Sequence, residues 1–533
     1  MSFKNNELKS FPPLIAALCD PACYPHAVQD IEILQTHISW VILTGRHVYK
    51  IKKPVNLGFL DFSTLEARHH YCAEELRLNR RFAPSVYEAV VKVTGSIDQP
   101  RMDGTGNVIE YAVRMRQFAQ SDLASRMLAE SRLTAAHIDD FAGYVAAFHA
   151  QIEVAEAASG TADAVMAPAR ENFTQLLRLL PDAADQSAIA DLRAWTEREY
   201  ALLEAEFAER RVQGRVRECH GDLHLGNIVM IDGRLVPFDC IEFDPALRRI
   251  DVMNEIAFLV MDLLDRGRGD LAYRFLNACL ECSGDYAGLA VLRFYVVYRA
   301  MVRAKVHGLR AMQDGAGTAG RERLRDAARE YIALARRFLD AKSPAVILMH
   351  GLSGSGKSVV AQAWACDAGA IRLRSDVERK RLYGLDRTAR SGATLASGIY
   401  SEAATTATYQ RLLDLVRVVT GAGYAAIVDA AFLQRRQRDL FRRVALAQGL
   451  PFIIADVTAP EHVLRERIAA RAAAGGDASE ADQAVLAHQI GHGEPLTGEE
   501  LAAVLPVDTA AGDAEAVSCT AGRALRARLG VPA

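Results

Sequence analysis

The sequence predicts a multi-domain α/β protein whose C-terminal part forms a parallel sheet. At 533 residues the chain is too long for one ordinary hydrophobic core. After Ser343-Pro344, strand, glycine loop, helix, strand and helix alternate, which is typical of a parallel α/β sheet. Before that break, strand patterns give way to long helical stretches, which predicts an α+β domain. We therefore expect one domain at residues 1–342 and a second at residues 343–533.

Composition favours a globular protein without a large charged surface. Hydrophobic residues make up 50% of the chain and charged residues 24%, and the formal net charge is −3. This balance gives no broad attraction to nucleic acid or to anionic membranes, so both are disfavoured as partners. No apolar run approaches the roughly 18 residues of a membrane span, and prolines interrupt the apolar stretch at residues 11–19, which argues against a secretory signal. We expect a cytoplasmic protein.

The nine cysteines are scattered along the chain. Cys279 and Cys282 form a C-x-x-C motif, but the motif lies in a helical pattern and has no second pair. Free thiols in a reducing compartment are therefore expected, rather than a metal or disulfide site.

Two lysines lie on one predicted strand near the N-terminus. Residues 31–53 predict two strands separated by a turn at residues 44–47. Because side chains alternate between the faces of a strand, Lys50 and Lys52 share one face of the second strand.

A helix is predicted to follow at residues 64–82, with Glu75 on its apolar stripe. Lys50 and Glu75 are suited to the ion pair that positions the α- and β-phosphates of ATP in kinases. Lys52 is the alternative to Lys50, and Glu74 is the alternative to Glu75.

A second constellation occupies residues 220–227, which read H-G-D-L-H-L-G-N and have the H-x-D-x-x-x-x-N spacing of a kinase catalytic loop. Asp222 can accept the proton of an attacking hydroxyl, and Asn227 can ligate Mg²⁺. The dipeptide at residues 232–233 is Asp-Gly, a strong hairpin signal that returns Asp239 beside Asn227 as a second ligand. The alternative is a chance loop rich in His and Asp.

The C-terminal half contains an unbroken G-x-x-x-x-G-K-S motif between an apolar run and a helix-compatible segment. In this context the glycines let backbone N–H groups face phosphate oxygens at a helix N-terminus. Lys357 is expected to reach the β- and γ-phosphates and Ser358 to ligate Mg²⁺. The predicted nucleotide contacts are Gly351, Ser353, Gly354, Ser355, Gly356, Lys357 and Ser358.

Acidic residues end the next two predicted strands of this half. Asp376 follows one strand and can accept a proton from a substrate hydroxyl, while Arg379 and Lys380 beside it can hold an anionic group. The alternative is a helix cap with a solvated charged face. Asp429 ends the other strand, at the place of a Walker-B-type metal carboxylate.

Three arginines lie on a later predicted helix, at positions 465, 467 and 471. Arg467 and Arg471 are four residues apart and share a face. Such arginines suit a lid that closes over ATP and counters phosphate charge, and a solvated helix is the alternative.

Residues 344–515 resemble small P-loop kinases of the group that includes gluconate kinase, chloramphenicol phosphotransferase, polynucleotide kinase 5′-domains and zeta toxins. The resemblance rests on the glycine loop, on the lid arginines and on three further motifs. They are R-S-D at 374–376 with Arg379 and Lys380, V-D-A-A-F-L at 428–433 with Arg438, and V-D-T at 507–509. It implies transfer of a γ-phosphoryl group to a hydroxyl, with Asp376 as base and Arg438 as a substrate or phosphate contact. Arg467 and Arg471 are then lid residues.

Residues 30–310 resemble the aminoglycoside phosphotransferase and choline kinase-like family. The resemblance rests on V-Y-K at 48–50, Glu75 through Pro84, the loop at 220–227, Phe238-Asp239 and Asp251. It implies a two-lobed, kinase-like α+β fold in which Asp222 is the catalytic base, Asn227 and Asp239 bind Mg²⁺ and Lys50 contacts phosphate. One departure is that residues 35–40 stand where many kinases have G-x-G-x-x-G.

Helices are predicted to dominate residues 250–340, interrupted by a loop at residues 314–317. Tyr295, Tyr298, Arg299 and Arg303 lie on one of these helices. The two arginines share a face that can hold an anionic substrate or pack between domains, and a solvated helix face is the alternative.

The motifs together predict two ATP- and Mg²⁺-dependent phosphotransferase domains that act on a hydroxyl of a small molecule. One alternative is a toxin-like or nucleic-acid-end kinase. Another is that one domain is an ATP-binding regulatory module paired with an active one.

Overall fold

A computed structural model describes residues 11–28, 30–56, 58, 60–156, 159–312, 317–340, 343–392, 397–474, 478–510 and 514–529. Most of the loop predicted at 314–317 lies outside these residues. The chain forms two compact units. Unit 1 comprises Met1–Phe141, Ile152–Ala164 and Arg210–Leu259, and unit 2 comprises Ala142–Gln151, Val165–Glu209 and Val260–Ala533. The division between residues 342 and 343 stays a prediction.

The strands of the two units have three to nine residues. They are β1 (Glu32–Gln35), β2 (Ser39–Leu43), β3 (His47–Lys52), β4 (Tyr87–Gly95), β5 (Pro100–Met102), β6 (Val108–Arg116), β7 (Val216–Glu218), β8 (Ile228–Ile231), β9 (Arg234–Pro237), β10 (Arg249–Asp251), β11 (Val346–His350), β12 (Ile371–Arg374), β13 (Ala426–Asp429), β14 (Phe452–Thr458) and β15 (Val504–Asp508).

The α-helices account for most of the remaining described residues. They are α1 (Pro13–Ala17), α2 (Leu65–Asn79), α3 (Ala124–Ala129), α4 (Ala135–Gln151), α5 (Ala162–Leu179), α6 (Ala183–Val212), α7 (Pro245–Arg248), α8 (Val252–Asp265), α9 (Gly269–Ser283), α10 (Leu289–Ala311), α11 (Thr318–Asp340), α12 (Lys357–Ala368), α13 (Ser375–Leu382), α14 (Glu402–Gly421), α15 (Arg435–Ala447), α16 (Glu461–Ala474), α17 (Gln483–His492), α18 (Gly498–Leu501) and α19 (Ala514–Leu529).

Unit 1 contains a six-stranded antiparallel sheet in the order β1-β2-β3-β6-β4-β5. The prediction of two strands in residues 31–53 is wrong, because the structure has three. Thr36 closes a turn with Ser39, since its hydroxyl accepts the Ser39 N–H at 2.9 Å and its own N–H donates to the Ser39 carbonyl at 2.9 Å. The unbroken apolar pattern on either side conceals this hairpin in the sequence.

The two faces of β3 have different partners. Tyr49 and Ile51 belong to an apolar core that also contains Ile15 and Leu18 from the N-terminal segment. Because side chains alternate along a strand, the lysines of β3 point to the opposite face, where α2 lies. Helix α2 begins after Thr64, whose hydroxyl accepts the N–H of Ala67 at 3.1 Å as an N-cap.

Two small ribbons of unit 1 flank the loop at residues 220–227. One pairs β7 with β10, and the other pairs β8 with β9. The predicted hairpin at Asp232 and Gly233 is confirmed, since these two residues alone join β8 to β9 and both have positive φ, 49° and 80°. A two-residue turn with two left-handed positions is the one that Asp-Gly favours.

Unit 2 contains a parallel sheet in the order β12-β13-β11-β14-β15. Its apolar core joins Ile347 and Met349 of β11 to Trp364 of α12 and to Ile427 of β13. Parallel neighbours need crossover connections, and helices supply them here. The predicted fold class is confirmed: a kinase-like N-terminal part with an antiparallel sheet and a C-terminal P-loop part with a parallel sheet.

Three smaller predictions can be compared with the structure. Cys279 and Cys282 on α9 are free thiols. Arg299 of α10 is buried, so the alternative of a solvated face is wrong for it, and Arg303 lies 5.8 Å from the Tyr331 ring centre. Among the described residues, no helix combines the length and apolar character needed to cross a bilayer.

Candidate active sites

Lys50 and Glu75 meet in unit 1 as a buried ion pair. The Lys50 Nζ lies 2.8 Å from Glu75 Oε1, and it also lies 2.5 Å from Asp239 Oδ1. Lysine on β3, glutamate on α2 and aspartate after β9 therefore come together, although Lys50 and Asp239 are 189 residues apart in the sequence. The structure brings these three predicted site residues into one cluster.

Lys52 is a second partner of Glu75 rather than a substitute for Lys50. Its Nζ lies 2.8 Å from Glu75 Oε2, and it also pairs with the buried Glu242. Lys52 is fully buried, whereas Lys50 reaches the partly exposed Asp239, and this geometry favours Lys50 as the phosphate contact. Glu74 instead pairs with Arg77 near the surface.

The charged side chains of this cluster shift the pKa values of one another. Burial alone would raise the pKa of Glu75, but Lys50 and Lys52 lower it to about 2. Burial would also lower the pKa of Lys50, but Asp239 and Glu75 hold it well above its ordinary value. Burial raises the pKa of Glu242 in spite of Lys52. Lys50 and Glu75 are thus both charged at neutral pH.

The loop at residues 220–227 is held by its backbone and by His220. Glu255 accepts the N–H groups of His220 and Gly221 at 3.0 and 2.7 Å. His220 Nδ1 accepts the N–H of Asp222 at 3.3 Å, while Nε2 lies 2.9 Å from the Phe238 carbonyl. Burial lowers the pKa of His220, so a neutral ring that donates from Nε2 fits both contacts. His220 is therefore a scaffold for Asp222.

Asp222, Asn227 and Asp239 supply oxygen ligands of the kind that Mg²⁺ prefers. Asn227 donates from Nδ2 to Asp222 Oδ2 at 2.8 Å, which orients both side chains. Asp239 has a φ of 64°, and its N–H donates to the Tyr87 hydroxyl at 3.1 Å, so a strained backbone position is held by a hydrogen bond. The Asp239 side chain is 42% exposed. Asn227 and Asp239 fit the predicted metal role.

Two glycines of the P-loop are required by the backbone path. Gly351 has a φ of 139°, and a Cβ there would lie 2.2 Å from the Val457 carbonyl oxygen. Gly354 has a φ of 84°, and a Cβ there would lie 2.6 Å from the Leu464 carbonyl oxygen. Both positions combine a left-handed conformation with a backbone neighbour that cannot give way. The loop curls because these residues have no side chain.

Lys357, Ser358 and Asp429 meet where α12 begins and β13 ends. The Ser358 hydroxyl donates to Asp429 Oδ1 at 3.2 Å, and Asp429 Oδ2 is buried without a hydrogen-bond partner among the described residues. An unpartnered buried carboxylate oxygen beside a hydroxyl fits a Mg²⁺ site. Lys357 donates to the Leu352 carbonyl at 2.7 Å, and desolvation lowers its pKa to about 8.

Asp376 is the second residue of α13 and lies two residues beyond the end of β12. Its carboxylate bonds to the side chain of Ser479, and burial raises its pKa against the opposing effect of Arg374 and Arg379. A carboxylate with a raised pKa is a better proton acceptor, as a general base requires. Asp376 and Asp429 each also influence the charge of Lys357, so these predicted site residues share one region.

Other groups bind the loop from outside the motif. Gln489 of α17 accepts the N–H of Ser353 at 2.8 Å, and the Thr509 hydroxyl donates to the Ser355 carbonyl at 2.8 Å. The Ser355 hydroxyl is buried with no hydrogen-bond partner in the described part of the chain. A phosphate contact through the Ser353 amide requires Gln489 to move.

The predicted lid arginines lie on α16 and bond to the protein itself. Arg467 donates to the Thr509 hydroxyl and carbonyl, both at 2.9 Å, and lies 3.4 Å from the carbonyl of Gly354. Arg471 donates to the Ala481 carbonyl at 2.7 Å. Arg465 pairs with Glu461 at the surface. Of these three arginines, Arg467 is the one that donates a hydrogen bond to a carbonyl of the glycine loop.

Arg438 does not contact a substrate from this position, contrary to the resemblance. The residue is 1% exposed, and all five of its N–H donors are accounted for. Two donate to the carboxylate of Glu500, at 2.6 and 3.1 Å, and three donate to the carbonyls of Phe432, Glu494 and Pro495. Arg438 joins α15 to the segment before β15.

The basic residues after Asp376 are buried, so they do not form a solvated face. Arg379 donates to the Ile399 carbonyl at 2.8 Å, and Lys380 lies 3.2 Å from Glu480. Both charged groups therefore bond to residues within unit 2.

Four residues that shape the two sites escaped the sequence reasoning: Glu242, Glu255, Gln489 and Ser479. Glu242 follows Asp239 by three residues, the other three reach their sites from more distant segments, and none belongs to a recognisable motif. Glu255 alone left a signal, as an acidic residue within the apolar pattern of α8.

Two family models match the chain. A model described as a phosphotransferase enzyme family matches residues 71–292, and a model described as an AAA domain matches residues 346–496. The first range contains the loop with Asp222, and the second contains the glycine loop. The two matches fall on the two constellations described above.

Curated relatives match most of the chain. An uncharacterized protein of Mycobacterium tuberculosis (strain ATCC 25618 / H37Rv) is 31% identical over 473 residues, covering 88% of this chain and 92% of that protein. An uncharacterized protein of Mycobacterium bovis (strain ATCC BAA-935 / AF2122/97) gives the same values.

Solved structures match parts of the chain. An amicoumacin kinase in complex with AMP-PNP, Ca²⁺ and Ami is 13% identical, covers 62% of this chain and 96% of its own, and has a TM-score of 0.37. A gluconokinase from Sinorhizobium meliloti is 24% identical, covers 36% of this chain and 97% of its own, and has a TM-score of 0.24.

The two kinase-type domains identify a phosphotransferase, and kinase domains imply the use of ATP. The chain belongs to the same family as the mycobacterial proteins, and it joins a segment of the phosphotransferase enzyme family to a P-loop domain of the kinase type.

Proposed function

We propose that this chain is a cytoplasmic, Mg²⁺- and ATP-dependent phosphotransferase with two active sites, each of which phosphorylates a hydroxyl group of a small molecule. The observation that carries the proposal is the convergence of Lys50, Glu75 and Asp239 next to the loop of Asp222 and Asn227. A second set, Lys357, Ser358, Asp376 and Asp429, supports it for the P-loop half.

In unit 1, Asp222 is the proposed general base. The hydrogen bond from Asn227 holds its carboxylate, and the backbone bonds of His220 and Gly221 to Glu255 hold the loop. Asp222 then accepts the proton as the acceptor hydroxyl attacks the γ-phosphorus and the bond to the β-phosphate oxygen breaks. Lys50, fixed by Glu75, contacts the phosphates.

In unit 2, Asp376 is the proposed base and Lys357 the phosphate contact. The amides of the glycine loop face the phosphates at the start of α12, and Lys357 neutralises charge on the β- and γ-phosphates. Arg467 and Arg471 are proposed to join the phosphates when the lid closes, which requires them to release backbone carbonyls. The proton of the acceptor hydroxyl passes to Asp376.

Mg²⁺ supplies charge neutralisation and alignment of the phosphate oxygens when it is bound. Asn227 and Asp239 are the proposed ligands in unit 1, with Ser358 and Asp429 in unit 2. The Asp429 Oδ2, which has no hydrogen-bond partner in the described part of the chain, supports the second assignment.

A small-molecule acceptor is favoured over the end of a nucleic acid. Binding a nucleic acid beside Asp376 needs exposed cations, but Arg379 and Lys380 are buried and engaged within the unit. A cytoplasmic location agrees with the free thiols of the described cysteines and with the supply of ATP.

Single-site variants test the two halves separately. The full-length protein, Asp222→Asn and Lys357→Ala would each be incubated with γ-labelled ATP and a metabolite extract, and products whose mass rises by one phosphoryl group would be identified. We expect Asp222→Asn to lower one set of products about 10²- to 10⁴-fold, as loss of a general base does. Lys357→Ala is expected to lower the other set about 10²- to 10³-fold.

Matched controls are exposed residues of the same charge outside both sites, Asp98→Asn in unit 1 and Arg443→Ala in unit 2. Both are expected to leave all products within twofold. If Asp222→Asn left every product unchanged, unit 1 would be a regulatory ATP-binding module. Products on oligonucleotide 5′ ends that vanish in Lys357→Ala would contradict the small-molecule acceptor.

A further inference from the structure

Helix α9 carries a stripe of three side chains against β12 and its neighbours. Tyr273, Asn277 and Glu281 are spaced four residues apart, so they lie on one face of the helix. All three contacts described below lie within unit 2. The helix belongs to residues 71–292, the range of the phosphotransferase family match.

The first two members of the stripe cover the edge of the parallel sheet. Tyr273 packs so closely on Gly369 that a Cβ there would lie 2.8 Å from its ring. Asn277 accepts the N–H of Arg372 at 2.7 Å and donates to the carbonyl of Ala370 at 3.0 Å. The Asn277 side-chain amide thus makes the kind of hydrogen bonds that a neighbouring strand would make with β12, which is an edge strand of the sheet.

Glu281, the third member, is surrounded by guanidinium groups. The residue is 6% exposed, and its carboxylate lies 3.0 Å from Arg372, 3.1 Å from Arg374 and 3.5 Å from Arg387. These arginines lower the pKa of Glu281, although burial alone would raise it. Glu281 is therefore a buried, charged carboxylate that holds these guanidinium groups near the end of β12.

Arg374 links this anchor to the P-loop site. Its Nη1 lies 3.1 Å from Glu281, while its Nε lies 3.9 Å from Asp429 Oδ2, the buried oxygen without a hydrogen-bond partner among the described residues. A movement of about 1 Å would turn this second separation into a hydrogen bond. That bond would occupy the oxygen proposed to serve Mg²⁺.

We propose that Glu281 is a positioning residue for the P-loop site, which holds Arg374 away from Asp429 and so keeps the metal-binding carboxylate open. The proposal rests on the proposed function of that site. It means that α9, which lies in the range of the phosphotransferase-family match, contributes a residue to the P-loop site. Residues 346–496 alone would then not supply every side chain that this site needs. Removing the carboxylate leaves Asp429 and Asp376 as anions close to Arg374, and the Asp429 oxygen already lies within 3.9 Å of the Arg374 Nε.

The test is the Mg²⁺ dependence of binding of a fluorescent ATP analogue to the full-length protein. The binding component that disappears in Lys357→Ala belongs to the P-loop site. In Glu281→Gln we expect the gain in affinity of that component on adding Mg²⁺ to fall about tenfold, in the range found when partners of metal ligands are removed. Binding without Mg²⁺ is expected to stay within twofold of wild type.

The Arg374→Gln variant tests whether Glu281 acts by positioning Arg374 or only by packing in its place. If Glu281 acts through Arg374, then adding Glu281→Gln to Arg374→Gln causes no further loss, which is the non-additivity of coupled residues. Asp270→Asn is the matched control, because Asp270 lies on the same helix and pairs only with Arg268 in the contacts described for it. It is expected to change Mg²⁺ dependence less than twofold.

Several outcomes would overturn the proposal. One is a Glu281→Gln protein with wild-type Mg²⁺ dependence, and another is an equal loss in the Arg374→Gln background. If Glu281→Gln does not fold, Glu281→Asp keeps the charge but withdraws the carboxylate by one methylene, and unchanged Mg²⁺ dependence in it would also refute the proposal. If instead Lys357→Ala removes no binding component, the proposed function of the P-loop site fails.

Discussion

The two candidate sites differ in how they are held before any substrate binds. In unit 1, Lys50 is already paired with Glu75 and Asp239, so its positive charge is matched by protein carboxylates. In unit 2, Lys357 bonds to a backbone carbonyl, and Asp429 keeps one buried oxygen without a hydrogen-bond partner among the described residues. One site is organised by ion pairs and the other by the path of its backbone.

The pKa values express the same difference. Carboxylates hold the pKa of Lys50 well above its ordinary value although burial opposes them, whereas desolvation lowers the pKa of Lys357 to about 8. At the first lysine the protein itself supplies the counter-charge. At the second, we propose that the phosphates of a bound nucleotide supply it. Variants that remove an ion pair or a glycine should therefore affect the two regions unequally.

The largest stability effect is expected for Glu75→Gln. This change removes the carboxylate that the buried ammonium groups of Lys50 and Lys52 share, and leaves each of them with one anionic partner, Asp239 or Glu242. Breaking a buried pair costs about 3–5 kcal/mol. Urea unfolding of the full-length protein, followed for unit 1 by hydrogen exchange of the β3 amides, measures the loss.

The adjacent residue provides the control. Glu74 pairs with Arg77, which is 48% exposed, so Glu74→Gln is expected to cost about 0–1 kcal/mol. Equal losses in the two variants would show that unit 1 does not depend on its buried ion pairs.

A smaller effect is expected for Gly354→Ala in unit 2. The methyl group would meet the Leu464 carbonyl at 2.6 Å in a left-handed conformation, and such strain costs on the order of 1–3 kcal/mol. Because the loop must shift, we also expect weaker nucleotide binding, measured by titration with an ATP analogue. Gly421→Ala is the control, since a Cβ there has nothing within 4 Å, and it should bind normally. Normal binding by Gly354→Ala would mean that the loop is not shaped by its glycines.

The last prediction concerns pH, in which the units are alike: each has a buried carboxylate with a pKa of about 2, Glu75 in unit 1 and Glu500 in unit 2. Burial would raise the pKa of Glu500, but Arg438 and the backbone of Thr497 lower it. Because its folded pKa lies below the ordinary value of 4.5, Glu500 contributes its full stability above pH 4.5. That contribution is lost as the pH falls towards 2.

The measurement is the urea midpoint of unit 2 in wild type and in Glu500→Gln at several pH values. The gap between the two proteins should be largest at neutral pH and should narrow below pH 4.5. A gap that stayed constant down to pH 3 would contradict the assigned pKa.

Local patterns predicted much of the architecture. The alternation after residue 344 predicted the parallel sheet, the Asp-Gly dipeptide predicted the hairpin of β8 and β9, and β3 and α2 were located near their observed positions. These features depend on neighbouring residues in the chain. The extra hairpin at Thr36 was missed because its turn is made by a hydroxyl within an apolar pattern.

Residue roles were harder to predict than elements. Lys52 looked like a rival of Lys50, but the carboxylate of Glu75 has two oxygens and serves both. Arg438 looked like a ligand contact, yet its five donors are taken by the protein. Sequence spacing tells which residues share a face, but it does not tell what that face meets.

The sequence by itself determined the chemistry available to this protein: a glycine loop followed by lysine and serine, and an Asp-to-Asn spacing followed by a hairpin that returns a second aspartate. Only the tertiary structure decided that Lys50 meets Asp239 and that Glu281 pairs with Arg374. The physical reason is distance along the chain. Motifs arise from local backbone geometry, whereas these contacts join segments about 90 or more residues apart, and packing alone brings them together.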